Sequence, residues 1–269
     1  MLTKKLGYSL YKGAWIWKED PRLEVELEKP ECKELLEKGG YLVRNVFDFD
    51  CEEQTSVWYV IKESFNGIQD VPSKYRSCIR KALDVFEIKK ISKQFLMENG
   101  YEIYKKAIEN YRVKAIPLEY WDYQTMIRQF DDTYDFWGCI HKESGNLAAY
   151  AINHVVGNTV DYQTMKFHPD YLAKLHSSYG LIYEMNRYYL GEMNISFVND
   201  GARSLTNHSE FQPFLMQKFK FRKAYCKLNV VYKPWLRVIV CTLFPFRKWI
   251  RINRVSAILN LEAMRRNLL

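Results

Sequence analysis

The sequence lacks the residue spacings that build metal sites and disulfide frameworks. Its six cysteines are scattered along 269 residues, with no CxxC pair and no cysteine/histidine cluster at ligand spacing. We therefore expect free, mostly structural thiols and no bound metal. The chain also lacks internal repeats and low-complexity linkers, so the boundary between any two domains is soft.

Long apolar runs are missing as well. Glycine, serine and lysine interrupt the first 17 residues, which excludes the apolar stretch of a signal peptide. The longest apolar run, residues 238–246, has nine residues and contains Thr242 and Pro245. A membrane-spanning helix needs roughly 20. We therefore expect a cytoplasmic protein without a membrane span.

What the sequence does have is apolar material for a large core and an uneven positive charge. Hydrophobic residues make up 48% and aromatic residues 16% of the chain, and the formal net charge is +8. From Pro234 to the end there are seven basic residues and one acidic residue, Glu262. Such a segment suits an anionic partner, which is a membrane surface, a nucleic acid or a phosphorylated ligand.

The first half predicts a mixture of strands and helices. Residues 41–62 are rich in Val, Phe, Tyr and Trp on both sides of a polar turn, which predicts a hairpin. A helix is predicted from Ser73, followed by a short strand at EIKKI. Helical patterns recur at 100–111 and 119–130.

The second half has a more regular pattern. Turn signals at 143–146 and 157–158 divide the chain into three strands of an antiparallel meander that ends near Phe167. A helix from Ser178 to about Met193, a strand ending at Asp200, a helix from about Ser209 and a last strand follow. The predicted order is therefore β-β-β-α-β-α-β.

This element order and two local motifs resemble the GNAT superfamily, and within it the Fem-type branch of peptidoglycan aminoacyltransferases. SKYRSCIRKAL (73–83) is similar to the branch's Arg-x-x-Ile-Arg-Lys-Ala segment, and VNDGARSL with FLMQKFKF (198–221) is similar to its Asp-Gly strand end and Phe-Lys helix. Lys220 stands where the family usually has Gly.

The resemblance implies an α/β fold with a mixed sheet, namely a GNAT-like acyl-CoA N-acyltransferase fold with a shortened N-terminal half. We expect residues 1–132 to form an α/β half that is a degenerate acyltransferase-like unit. Residues 133–234 would form the GNAT-like core, and 235–269 a basic amphipathic tail.

The resemblance also implies the donor site. In GNAT enzymes the acceptor attacks the thioester directly, and a backbone N–H on the fourth core strand, here about Val160–Phe167, stabilises the oxyanion. Helix N-termini bind phosphates, so the cofactor-binding candidates are Ser177, Ser178, Tyr179 and Gly180. The alternative is that Ser177 or Ser178 is an ordinary N-cap. A transfer-RNA donor would not need this loop.

Three residues are candidates for acid-base chemistry. Asp200 follows a strand and precedes Gly201, so it is the first choice as the base, the alternative being an Asx-turn residue. His208 lies in the next loop and titrates near neutrality, but a lone loop histidine is usually just solvated. Glu184 is a weaker candidate, whose alternative is an i, i+3 ion pair with Arg187.

Three arginines are candidates for substrate binding. Arg76 and Arg80 are four residues apart on a predicted helix, so they would share a face that binds a diphosphate-linked acceptor or RNA. Arg203 lies in the loop after Asp200. The alternative for the helical pair is a solvated face.

The leading hypothesis is therefore an N-acyltransferase. It would move an acyl group from acyl-CoA, or an aminoacyl group from aminoacyl-tRNA, to an amine of a cell-envelope or surface-glycan precursor. The acceptor would be a small molecule or lipid-linked. The alternatives are a basic module without catalysis that docks on RNA or an anionic membrane, and a degenerate fold that binds ligand without activity. The tail alternates apolar residues with arginines, which predicts either peripheral membrane contact or ordinary packing.

Overall fold

The computed structural model describes residues 7–111, 115–205 and 211–269, and these residues divide into two compact units. Unit 1 consists of the described parts of 1–60, 202–209 and 223–269, and unit 2 of those of 61–201 and 210–222. Both units combine stretches that are distant in the sequence. The two units therefore do not coincide with the predicted segments 1–132, 133–234 and 235–269. That these segments are functional domains stays a prediction.

Ten strands and ten α-helices make up the described structure. The strands are β1 (Tyr8–Tyr11), β2 (Ala14–Trp17), β3 (Leu42–Phe47), β4 (Val57–Lys62), β5 (Phe86–Ile91), β6 (Tyr134–His141), β7 (Leu147–Val156), β8 (Thr159–Phe167), β9 (Phe197–Ala202) and β10 (Arg222–Tyr232). The α-helices are α1 (Lys29–Glu37), α2 (Ser73–Val85), α3 (Lys93–Asn99), α4 (Tyr101–Glu109), α5 (Tyr120–Arg128), α6 (Pro169–Leu175), α7 (Ser177–Asn186), α8 (Phe211–Phe219), α9 (Pro234–Leu243) and α10 (Asn253–Arg265). A π-helical turn, Arg187–Glu192, continues α7.

The sheet of unit 1 is built from non-local pairs. β1 and β2 are antiparallel, β2 and β3 are parallel, and β10 pairs antiparallel with β3 and neighbours β4. The predicted hairpin of residues 41–62 is therefore wrong in its pairing, although both strands form. β10 inserts between them because its long run of alternating apolar residues offers pairing edges on both sides, and a strand's own sequence does not name its partner.

Unit 2 contains the predicted meander. β5, β6, β7 and β8 pair antiparallel in sequence order, and β9 joins β8 in parallel. Helix α7 packs on α2 and on the strands β5 to β7. Bulky side chains from the sheet and from α3 to α5 fill a core that includes Tyr123, Phe136, Tyr150 and Ile152. The meander and the helix near 178–193 are confirmed. The last strand of the predicted core, β10, instead pairs with β3.

The C-terminal segment forms two helices that pack on one another, as one of the two alternatives predicted, while membrane contact stays a prediction. Leu236 and Val240 of α9 pack with Leu259 of α10 in an apolar cluster. On the other side of α9, however, Val238 is 68% exposed, and Trp249 in the following loop is 79% exposed. Within the described ranges, none of the helices has the length and apolar character that crossing a membrane requires.

Candidate functional site

The candidate site lies where two parallel strands of unit 2 part. β8 and β9 are in register over three pairs only, from Thr159 with Phe197 to Asp161 with Asn199. β8 continues to Phe167 paired with β7, and its last six residues have no β9 residue in register. The strand predicted to supply the oxyanion-binding N–H therefore leaves its parallel neighbour at Asp161. This is also the arrangement that the sequence predicted, with the two strands as sheet neighbours.

Asp200 lies on β9 directly after the last pair. Burial, followed by the negative charge of Asp161, raises the pKa of Asp200 well above its usual range. The Nε2 of Gln212 on α8 donates a hydrogen bond to the Asp200 backbone carbonyl at 3.2 Å. A carboxyl group whose pKa is raised by burial and a like charge holds a proton more readily, as a general base requires.

The turn role proposed as the alternative for Asp200 belongs to its neighbour. The Gly201 N–H donates to Asn199 Oδ1 at 2.9 Å, and Gly201 has a φ of +74°, which favours glycine. Asn199 is therefore the Asx residue of this turn. The side chain of Asp200 does not form this turn; a hydrogen bond with Gln212 opposes part of the rise in its pKa.

A buried tyrosine borders the same carboxyl group. Tyr162, on β8, donates from its hydroxyl to Asn186 Oδ1 at 2.9 Å. Its pKa is raised well above the usual range, first by burial and then by the neighbouring Tyr189 and Asp200. Tyr162 therefore stays neutral and acts as a fixed hydrogen-bond donor at the point where β8 and β9 part.

The start of α7 is packed rather than open. His176 occupies a left-handed conformation between α6 and α7, and its carbonyl accepts from the N–H groups of Tyr179 and Gly180. Ser177 and Ser178 are buried, and the Ser177 Oγ finds no hydrogen-bond partner among the described residues. His176, rather than either serine, is the N-cap residue.

Gly180 has a packing role that the sequence did not indicate. A Cβ built on Gly180 would lie 2.7 Å from Ile88 Cδ1 and 2.9 Å from the Cβ of Ala82 on α2. Distances that short do not occur between unstrained atoms, so only glycine lets α7 approach α2 this closely. The four residues proposed to bind a donor phosphate thus form a close-packed helix start, and their role as ligands stays a prediction.

A cluster of cations and tyrosines surrounds this helix start. The Nζ of Lys218 donates to the Tyr75 hydroxyl and lies 3.7 Å from the centre of the Tyr75 ring, and Lys74 lies 5.0 Å from the same ring. Hydrogen bonds from Lys218 and then Lys74 lower the pKa of Tyr75. The ring of Tyr75 lies 6.1 Å from that of Tyr179, in the first turn of α7. Together these groups favour an anion.

Two of the other predicted site residues have hydrogen-bond partners of their own. Arg76 donates from Nε to the Val71 carbonyl at 2.9 Å, and Arg80, four residues along α2, is exposed. That the two arginines bind substrate stays a prediction. Glu184 accepts from Arg187 Nε at 2.8 Å, which is the partner that the alternative interpretation named.

Of the two loop candidates after Asp200, the structure describes one, Arg203. Arg203 belongs to unit 1, donates from Nη1 to the Ser56 carbonyl at 2.9 Å and stacks on the ring of Trp58 at 4.3 Å. Burial lowers the pKa of Arg203. His208 lies outside the described residues.

Sequence reasoning missed two parts of the site. Asp161 was not singled out, although the parallel strands carry the similar segments TVDY and FVND, and this likeness was a usable signal. The second part is a buried network in which the Tyr189 hydroxyl donates to Asp135 Oδ2 at 2.8 Å and accepts from Trp137 Nε1 at 2.9 Å. Tyr189 lies on the π-helical turn, a feature frequent at functional sites, and no sequence spacing reveals that turn.

Two solved structures are similar to this chain in fold. FemX superposes with a TM-score of 0.55 at 11% identity, covering 77% of this chain and 76% of that chain. The C-terminal domain of a protein described as a lysylphosphatidylglycerol synthetase, from Agrobacterium fabrum, has a TM-score of 0.51 at 14% identity, with 88% and 84% covered. The chain has a GNAT-like, Fem-type fold. No family model and no curated protein matches the sequence.

The ranges 7–111, 115–205 and 211–269 contain no group of three or more histidine, cysteine, aspartate or glutamate side chains able to hold a metal ion.

Proposed function

We propose that this chain is an N-acyltransferase in which Asp200 is the general base. The fold supports an acyltransferase-type enzyme, and the observation that carries the proposal is the raised pKa of a carboxyl group at the point where β8 and β9 part. The donor would be acyl-CoA or aminoacyl-tRNA. The acceptor would be an amine of a cell-envelope or surface-glycan precursor.

The transfer needs a base because a lysine-like amine, with a reference pKa of about 10.4, is charged at neutral pH. The neutral amine attacks the acyl carbon, so an N–C bond forms while the C–S bond of a thioester, or the C–O bond of an aminoacyl ester, breaks. Asp200 takes one proton from the ammonium to give the neutral amine, and the second proton, released by the nitrogen once the N–C bond has formed, passes to the leaving sulfur or oxygen. A backbone N–H of β8 beyond Asp161 would donate to the oxyanion.

The cluster of Lys74, Tyr75 and Lys218 supports the donor half of the proposal. These residues lie beside the first turn of α7, where a helix dipole and unpaired N–H groups favour negative charge. Both donors carry phosphates, and the cations suit either one. Arg76 and Arg80 are less suitable, since Arg76 is bound to a backbone carbonyl.

The decisive experiment measures transfer of radiolabel from acetyl-CoA, and separately from aminoacyl-tRNA, to lysine-containing and amino-sugar acceptors. Asp200→Asn should lower the rate at least about tenfold, which is about 1.4 kcal/mol of barrier. Its melting temperature should stay nearly unchanged. Asp132→Asn, at an exposed carboxylate of the same unit, is the matched control and should keep the parent rate. Equal rates for Asp200→Asn and the parent would exclude Asp200 as the base.

The exposed apolar and basic residues of unit 1 favour a second role, contact with an anionic membrane. Val238 and Trp249 are exposed beside Arg247, Lys248 and Arg251, the combination that an interfacial segment needs. Flotation with anionic vesicles at low salt tests this, and changing the three cations and Arg254 to Gln should abolish binding. If folded protein does not float, the surface formed by these cations does not contact the membrane and would face solvent or bind RNA.

A further inference from the structure

Unit 1 contains a cavity of about 680 Å³ beside the sheet edge formed by β1, β2 and β3. Its size lies within the roughly 300–1,000 Å³ of ordinary small-molecule sites. Strands β2 and β3 form one wall, and residues 254–261 of α10 form another. All of its lining residues belong to unit 1, whereas Asp200 belongs to unit 2, so an occupant of this cavity is independent of the proposed acyl transfer.

The most unusual residue of this cavity is Arg44 on β3. Side chains alternate along a strand, so Arg44 shares a face with Leu42 and Val46. These two neighbours pack in apolar clusters with Leu261 and Met264 of α10. The Nε of Arg44 is buried and finds no hydrogen-bond partner among the described residues. The charge of Arg44 lowers the pKa of Glu24, but its Nε is a buried donor without an acceptor, which costs stability. An acceptor from a ligand would satisfy it.

The charges that line the cavity have one sign. Lys12, in the turn between β1 and β2, and Arg254, at the start of α10, join Arg44, and among the described residues the lining includes neither aspartate nor glutamate. The remaining wall is apolar, with Ile16, Ile258 and Leu261 among its members. A ligand that matches both features needs an anionic head and an alkyl body.

We propose that this cavity binds one anionic amphiphile, whose carboxylate or phosphate head pairs with Arg44 and Arg254 and whose alkyl chain lies against α10. Arginine suits this task because its planar guanidinium group donates two parallel hydrogen bonds to a carboxylate or phosphate. The occupied cavity would supply the partner that the Arg44 Nε lacks. A free fatty acid and a phosphate-bearing lipid share this chemistry.

Titration calorimetry with three detergents below their micelle concentrations tests the head group. Dodecanoate and dodecyl phosphate should bind, and neutral dodecyl maltoside should bind at least about tenfold more weakly. Tighter binding of dodecanoate would identify a fatty acid, and tighter binding of dodecyl phosphate a phosphate-bearing lipid. Inorganic phosphate alone should bind weakly, because it leaves the apolar wall empty. Equal affinity for all three detergents would overturn the proposal.

Two pairs of variants test the residues. Arg44→Met should lower affinity for the anionic detergents at least about tenfold and leave affinity for dodecyl maltoside unchanged, since it removes the cation but keeps an apolar side chain. A merely structural Arg44 would instead give a lower melting temperature and unchanged affinity for all three detergents. Arg254→Gln should lower affinity several-fold, whereas Lys33→Gln, at an exposed cation of unit 1 outside the cavity lining, should not. Equal effects of these last two changes would also refute the site.

Discussion

Each unit contains a buried acid, and the two have opposite pKa shifts. In unit 1, burial raises the pKa of Glu24 to about 7. In unit 2 burial is also the largest influence on Asp70, yet hydrogen bonds from Asn66 and Lys62 and the charge of Lys62 together lower its pKa. Both residues expose little surface, 4% for Glu24 and 6% for Asp70, but the carboxyl group of Glu24 lies deeper in the protein. Depth of burial and the hydrogen-bond partners therefore both contribute to the difference in pKa.

The partners differ in charge. Glu24 Oε1 accepts from the Tyr8 hydroxyl and the Val46 N–H, both at 2.7 Å, and these donors are neutral. Asp70 accepts from the Lys62 ammonium at 3.0 Å, and Lys62 is itself buried. At Glu24 the hydrogen bonds thus offset only part of the cost of burying the carboxylate, while at Asp70 the Asn66 N–H and the Lys62 ammonium together offset more than all of it. The following predictions test this reading in order of decreasing effect.

Lys62→Met should raise the pKa of Asp70, so that it shifts in the same direction as the pKa of Glu24. The change leaves a buried carboxylate without its counter-ion, which should cost about 3–5 kcal/mol of unfolding free energy at pH 7. Urea unfolding measures this cost.

The pH dependence of the stability should change as well. In the parent, the lowered pKa of Asp70 gives stability that is present above its ordinary pKa of 3.8 and lost in stronger acid. In the variant, the pKa of Asp70 rises and stability falls as the pH increases.

The control for this variant is a surface pair in the same unit. Lys89 and Glu87 are 2.9 Å apart, and both are about half exposed. Lys89→Met should change stability by less than about 1 kcal/mol, as exposed ion pairs do. If the two lysine variants lost equal stability, the buried pair would have no special role and the explanation for Asp70 would be wrong.

Glu24→Gln tests the other member of the comparison. A folded-state pKa above the unfolded value means that the folded state binds more protons, so stability falls as the pH rises from about 4.5 to about 7. This pH-dependent loss amounts to about 3 kcal/mol. The variant should lack it, although its amide also replaces the unpaired Oε2. Thermal unfolding from pH 4.5 to 8 measures the slope, and identical slopes in variant and parent would contradict the assignment.

The helix contact of unit 2 gives a prediction of intermediate size. Gly180→Ala should cost about 1–3 kcal/mol, because the new methyl group would meet Ile88 and Ala82. Chemical denaturation measures this cost. Ile88→Val removes the Cδ1 atom that lies closest, so the double variant should recover part of the loss. A helical Gly→Ala change is normally stabilising. If Gly180→Ala were stabilising too, α7 and α2 could not lie as close together as described.

The same contrast between the units explains how much of the fold the sequence predicts. The meander of unit 2 joins neighbours in the sequence through short turns, and its local pattern is sufficient to predict it. The sheet of unit 1 joins β3 to β10, which come from opposite ends of the chain. No local pattern specifies such a pair, and the hairpin prediction failed for that reason.

The site follows the same rule. Asp200 was recognisable because a strand and an Asp-Gly pair mark it in the sequence. Its pKa depends on Asp161, which only the parallel pairing of β8 and β9 brings near. Likewise Lys74 and Lys218 meet at Tyr75 only after α2 and α8 have packed. The sequence therefore shows which residue types are present, but not the partners that determine their pKa and hydrogen bonds.

The smallest expected effect concerns Lys220, which has a second contact with Asp70. Its Nζ lies 3.8 Å from Asp70 Oδ1, and its side chain is exposed, so this ion pair should contribute less than about 1 kcal/mol. Lys220 also has a φ of +57° at the position where the family usually has Gly. The left-handed conformation costs a residue with a side chain about 1–2 kcal/mol.

Comparing Lys220→Gly with Lys220→Ala separates these two contributions. Both changes remove the ion pair, but only glycine relieves the backbone conformation, at some cost from the greater freedom of the unfolded chain. The glycine variant should therefore be more stable than the alanine variant by about 1 kcal/mol, while differing little from the parent. Differential scanning calorimetry at pH 7 measures both. An alanine variant as stable as the glycine variant would mean that the left-handed conformation costs nothing here. A loss above 2 kcal/mol in both variants would instead make Lys220 a full partner of Asp70, and Lys62 would then no longer account alone for the contrast with Glu24.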